Sequence, residues 1–181
     1  MPDRREGVNS PAALVVPTAD ARLGALWNAH YADVMAYARR RAPEEVAAEV
    51  ASAVFATLWR RIDEAPADPL PWLYAVARRE LANQRRGARR RGALLARLSL
   101  RPPGPLAAPD PADGAVEGVA ARTALARLRP ADREVLMLVA WEGLDAPGAA
   151  AALGVTEAAF AVRLHRARRR LEAQLLKEDR T

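Results

Sequence analysis

Hydrophobic positions recur at spacings of three and four through most of this chain, interrupted at a few proline- and glycine-rich points. From Asp20 onward, Leu23, Leu26, Trp27, Tyr31, Val34, Met35 and Ala38 share one side of a helix. Asp20 suits its N-cap, and Arg39, Arg40 and Arg41 put positive charge at its negative pole. Pro43, followed by Glu44 and Glu45, suits the first turn of a second helix. There Val46, Val50, Val54 and Leu58 form a stripe that Phe55, Trp59 and Ile62 widen, so both helices should be half-buried against each other. The acidic, proline-rich stretch DEAPADPLP (Asp63–Pro71) reads as a loop. A third helix is expected from Pro71 to Arg86, with Leu73, Val76, Ala77 and Leu81 turned inward.

Periodicity then fails. Ser99–Gly118 carries five prolines and reads as a flexible connector, which would let two modules grip distant points on one ligand. Beyond it, Val119–Leu128 and Pro130–Trp141 read as helices, the latter with Val135, Leu136, Leu138 and Val139 inward and Gly143 closing it. An alanine-rich run, Pro147–Leu153, stops at Gly154, which suits a left-handed closing residue. Thr156 suits the N-cap of the next helix, with Glu157 at its positive end. Two short helices around such a turn have the grammar of a helix-turn-helix. In the second of them Phe160, Leu164, Ala167 and Leu171 should pack inward. Ala158, Ala161, Val162, His165, Arg166 and Arg169 face the other way. Small residues let that face enter a major groove, where thymine methyls offer apolar contact and His165 and Arg166 reach base edges or phosphates. The competing reading is a surface helix with a solvated arginine face; the glycine turn upstream favours DNA. The expected layout is all-α, with a disordered tail over residues 1–18. Two small helical domains follow, at 19–98 and 119–178, joined by a linker at 99–118.

A hydrophobic content of 51% with only 5% aromatics fits an all-helical protein with a thin core. The absence of cysteine excludes disulfides and thiolate metal sites. His30 and His165 lie far apart in sequence, so neither a metal nor a cofactor is expected. The apolar run AALVV is too short for a signal peptide or a membrane span; no membrane insertion is expected, and a cytoplasmic location follows. The net charge of +6 and a pI of about 10.8 point to a polyanion partner, most simply nucleic acid. Lysine occurs once, at Lys177, a bias that a GC-rich genome explains; it does not explain the surplus of bases over acids. In the third helix Trp72, Tyr74, Arg78, Arg79, Asn83 and Gln84 mix rings, amides and cations, as a single-stranded nucleic-acid site requires. Against that, one of Trp72 and Tyr74 is expected to be a core aromatic. Arg85–Arg91 holds five arginines in seven residues, which repel without an anion and suit phosphate contact. No paired carboxylates, nucleophile–base set or phosphate-cradling glycine loop can be picked out, so no enzyme is expected.

Three segments carry a family resemblance. EVAAEVASAVFATLWRR (Glu45–Arg61) resembles a helix that docks on the polymerase clamp, and PWLYAVARRELANQRRGARRR (Pro71–Arg91) one that melts and reads the −10 element. LARLRPADREVLMLVAWEGLDAPGAAAALGVTEAAFAVRLHRARRRL (Leu125–Leu171) resembles a −35-binding domain. In this order, with this linker, residues 20–176 resemble a bacterial extracytoplasmic-function sigma factor of the sigma-70 family. The resemblance implies a sigma2-like bundle and a sigma4-like helix-turn-helix that recruit rather than catalyse. Core RNA polymerase (clamp and flap) and promoter DNA would be the partners, with nucleoid association in the holoenzyme. It implies polymerase contact within Val46–Arg61 by Glu49, Val50, Ser52 and Ala53. It implies −10 contact by the loop Asp63–Leu70 with Tyr74, Arg79 and Asn83, and backbone contact by Arg85, Arg86, Arg89 and Arg90. For the −35 element it implies Ala158, Ala161, Val162, Arg163, His165, Arg166 and Arg169. Val46, Ala48 and Ala53 stand where the family commonly has acids, Arg79 replaces a frequent asparagine, and Ala161 a common arginine or lysine. Readout of the −35 element is therefore expected to lean on shape and methyl contact. The few residues after the second domain, Lys177–Thr181, leave no room for a sensor, so control would fall to a separate anti-sigma factor. Two rivals remain: a helix-turn-helix regulator acting without core polymerase, and a helical adaptor that binds only protein.

Overall fold

The computed structural model of the chain describes residues 18–99 and 123–178. Among the described residues all regular structure is helical: α1 (Ala19–Arg39), α2 (Glu44–Arg60), a 3-10 turn (Ile62–Glu64), α3 (Leu70–Ser99), α4 (Pro130–Ala140), α5 (Ala146–Leu153) and α6 (Glu157–Glu178). Residues 123–127 add a short helical segment. Of the expected tail at 1–18 all but Thr18 lies outside the described residues, as do most of the linker and residues 119–122 of the expected helix.

In the first half, α1 packs on α2 and α2 on α3. The N-cap of α1 is Thr18, not Asp20: its Oγ1 accepts from the Ala21 amide at 3.2 Å, and Asp20 sits in the first turn instead. Val34, Met35, Tyr37 and Ala38 of α1 meet Val50, Val54, Phe55 and Leu58 of α2 and Leu73, Ala77 and Leu81 of α3 in a buried core. Trp27, Tyr31 and Trp59 have the spacing of core residues, yet stay 39%, 36% and 44% exposed. Trp27 and Tyr31 stack on each other at 4.7 Å, and Trp27 leans on buried Phe55, so they roof the core instead of filling it. Helix α3 continues past Arg86 to Ser99, because arginine, alanine and leucine all favour helix and no proline intervenes.

The second half is held by its termini. Arg133 donates from Nε to the Leu125 carbonyl at 2.9 Å and from Nη2 to the carbonyls of Ala126 and Leu128, capping the 123–127 segment. Gly143 and Gly154 adopt φ of +64° and +66°, the left-handed geometry that ends α4 and α5. Asp145 caps α5 through the Gly148 amide at 2.8 Å, and Thr156 caps α6 through the Ala159 amide at 3.2 Å. Arg170 reaches back from α6 to both Asp132 oxygens at 2.8 and 2.6 Å, fixing α6 across α4.

The halves do not stand apart. Helix α5 lies against α3, and at Gly148 the approach is so close that a Cβ would sit 3.3 Å from Pro71 Cγ. Buried apolar residues continue without a break from Tyr74 and Val34 to Phe160. The proline-rich linker predicts separate modules; in this structure the small side chains of α5 let the two packed cores meet. Among the described residues no helix is long and apolar enough to cross a membrane.

Candidate nucleic-acid interface

Helix α6 presents the two faces its periodicity requires. Phe160 and Ala167 are fully buried, with Leu164 and Leu171 half-buried beside them. Ala158, Ala161, Val162, Arg163, His165, Arg166 and Arg169 are all exposed, Val162 by 49%. The structure therefore leaves every −35 candidate open to solvent. Ala158, Ala161, Val162, His165, Arg166 and Arg169 share one strip, small at its N-terminal end and cationic beyond, and Arg163 lies on its flank, nearer the buried face. Such a strip fits a major groove: apolar contact where the helix enters, charge where it leaves toward the phosphates.

On α3 the candidates divide. Arg79, Asn83, Arg85, Arg86, Arg89 and Arg90 are exposed. Arg86 donates to Asn83, and Asn83 in turn to Glu80. Tyr74 is a correction. It is 2% exposed, its ring stacked on Tyr37 at 4.7 Å, so it is the core aromatic of the pair and offers no platform to a base. Burial pushes its phenol well above the ordinary value. Trp72, half-buried and 6.0 Å beneath the Arg61 guanidinium, is the ring that remains accessible. With Pro66, Asp68 and Arg79 it lines a cleft of about 460 Å³, closed on its far side by Pro147 and Gly148 of α5. Arg78 points away from that cleft and donates to the Leu153 carbonyl at 3.3 Å. That contact ties the halves together in the closed arrangement.

The polymerase candidates on α2 divide likewise. Glu49 and Ser52 are exposed and Ala53 is half-buried, but Val50 is 1% exposed and belongs to the core. A stripe of period four that fills the core cannot also meet a partner. Glu49 accepts from Gln84 at 2.9 Å, which fixes α2 against α3.

One cluster has no counterpart in any local pattern of the sequence. Arg41, only 5% exposed at its side chain, donates from Nε to Glu134 at 2.9 Å and from Nη1 to Glu142 at 2.8 Å. Arg40 also binds Glu142, whose side chain is fully buried. Tyr37 donates to Glu134 at 2.8 Å, and the Arg41 guanidinium lies 3.5 Å from the Tyr37 ring centroid. Burial opposes the Arg41 charge, but the groups around it outweigh that and hold it above the ordinary arginine value. Burial likewise drives the Tyr37 phenol far up. Ion pairs between residues so distant along the chain leave no trace in its spacing.

Two family models match the chain: Sigma-70 region 2 over residues 26–91, and Sigma-70, region 4 over residues 119–171. The chain belongs to the sigma-70 family. The two matches follow one another along the chain, and the exposed strips of α3 and α6 fall one in each region. No curated protein matches the sequence. Among solved structures it is similar to the sigma factor RpoE in complex with the anti-sigma factor NepR from Bartonella quintana. That likeness has 22% identity, covers 85% of this chain and 96% of the other, and has a TM-score of 0.62. It is also similar to CnrH in complex with the cytosolic domain of CnrY, at 27% identity, 87% and 88% coverage and a TM-score of 0.57.

Proposed function

We propose that this sigma-70 protein binds core RNA polymerase, recognises −35 and −10 promoter elements, and promotes melting of the DNA at transcription starts. The observation that carries the reading is the open strip of α6 in the region-4 match, Ala158 to Arg169. The matching strip of α3 in region 2 supports it. Exposed Glu49 and Ser52 of α2, with half-buried Ala53 beside them, are the polymerase contact, and exposed Trp59 and Arg60 extend it. Trp72, Arg79 and Asn83 receive unstacked −10 bases; unstacking costs a few kcal/mol per step, offset by stacking and pocket contacts. Arg85, Arg86, Arg89 and Arg90 hold the adjacent backbone. The complexes of RpoE with NepR and of CnrH with CnrY support a separate anti-sigma protein as the controlling partner. Run-off transcription with bacterial core polymerase tests the reading. A transcript that depends on this chain supports it. Specific promoter binding without any transcript would make the protein a helix-turn-helix regulator instead.

A further inference from the structure

We propose that Arg40 and Arg41 form a phosphate-binding site for promoter DNA, and that Glu134 and Glu142 fill that site while the chain is closed. The proposal rests on the promoter-binding reading above. Elements named −35 and −10 lie about twenty-five base pairs apart, roughly 85 Å at 3.4 Å per pair. A compact chain of this length has a radius of gyration of only about 16 Å. With α5 seated on α3 the molecule is too short to hold both elements, so the halves must part. Parting removes Glu134 and Glu142 from Arg40 and Arg41. Those arginines then face solvent, and Arg85, which donates to the Arg41 carbonyl at 3.0 Å, joins them to the arginine run of α3.

The geometry of the closed state is that of an anion site. Two guanidinium groups converge on one carboxylate, that of Glu142, while Arg41 holds a second with its Nε. Tyr37 lies against the Arg41 guanidinium and accepts one of its N–H groups at the backbone carbonyl, at 2.9 Å, so the group is held from its own half of the molecule. Arg41 Nη2 is buried and has no hydrogen-bond partner among the described residues. A phosphate, with more acceptor oxygens than a carboxylate, supplies what that donor lacks. Closure and DNA then compete for the same two arginines.

The test compares the full chain with Glu134→Gln/Glu142→Gln, and that variant with one also carrying Arg40→Gln/Arg41→Gln. Small-angle scattering reads closure, and anisotropy of labelled promoter duplex across a salt series reads phosphate contact. Circular dichroism checks that each variant retains its helices. Asp20→Asn/Asp33→Asn, both exposed on α1, removes the same two charges elsewhere. The glutamine pair is expected to enlarge the radius of gyration. It should also steepen the log–log salt slope by about 1.8, or 0.9 for each phosphate gained. Loss of the arginines should abolish that gain, and the Asp20/Asp33 control should not reproduce it. An unchanged radius, or a gain that survives arginine removal, overturns the proposal. Run-off transcription separates the two claims: a transcript with an unmoved slope sinks only the phosphate site, and a moved slope with no transcript sinks only the sigma reading.

Discussion

Replacing Phe160 by alanine, beside Val162→Ala on the same helix, decides which face of α6 belongs to the protein and which to DNA. Phe160 is fully buried and Val162 is 49% exposed, although they lie only two positions apart. Emptying a buried phenylalanine site costs about 3–5 kcal/mol in transfer and cavity terms. Total stabilities of about 5–15 kcal/mol leave the variant folded but weakened. With a urea slope near 2 kcal/mol/M, the midpoint should fall by about 2 M, followed by circular dichroism. Val162→Ala should change stability by no more than about 0.5 kcal/mol and move that midpoint by roughly a quarter of a molar. On −35 duplex the ranking reverses in kind. Val162→Ala loses apolar contact worth about 1 kcal/mol, a severalfold drop in affinity, without any loss of fold. The reasoning is refuted if Val162→Ala lowers the midpoint while Phe160→Ala leaves it in place, for then the helix is docked by the face assigned to DNA.

Arg166→Ala should weaken −35 binding by about 1–3 kcal/mol if its contact is to a base, and unchanged anisotropy on promoter duplex removes it from the site. Neutralising Arg85, Arg86 and Arg89 together should flatten the log–log salt dependence by about 2.7 if each holds one phosphate; an identical slope means the run is idle. Tyr37 and Tyr74 have phenol pKa values raised by burial, above the roughly 10 of an unfolded chain. Their stabilising contribution is therefore complete below about pH 10 and declines above it, where only the unfolded chain ionises them. Absorbance at tyrosinate wavelengths should show fewer ionised groups in the native chain than in urea, and Tyr37→Phe should lessen the alkaline loss.

What can be read from the sequence is local. The face of α6 is legible because a helix that buries Phe160 and Ala167 must, at 100° per residue, expose Ala161 and Arg166. Gly154 is legible because its left-handed φ is a property of one residue. Trp27 and Tyr31 carry the spacing of core residues and still lie at the surface, since period tells which side of α1 is apolar and not how far α2 extends beneath it. For Tyr74 and Trp72 the difficulty is finer: they lie two positions apart on α3, and only the place of Tyr37 decides that Tyr74 stacks inside.

The junction between the halves is beyond reach for a different reason. Arg41 reads in sequence as an ordinary charge at the C-terminal pole of a helix, and nothing in the spacing of Glu134 within its own helix sets it apart. Their burial follows from the small side chains of α5, which let α3 come close enough that water is excluded between α1 and α4. Once that happens the charges must pair, because an isolated charge at such a place costs several kcal/mol. The same reasoning gives the pairing a direction. A buried pair adds little net stability over the separated, hydrated ions, so the network fixes the register of closure while holding it only weakly. That is the property the proposed opening requires of this contact, which has to yield if α3 and α6 are to be drawn apart.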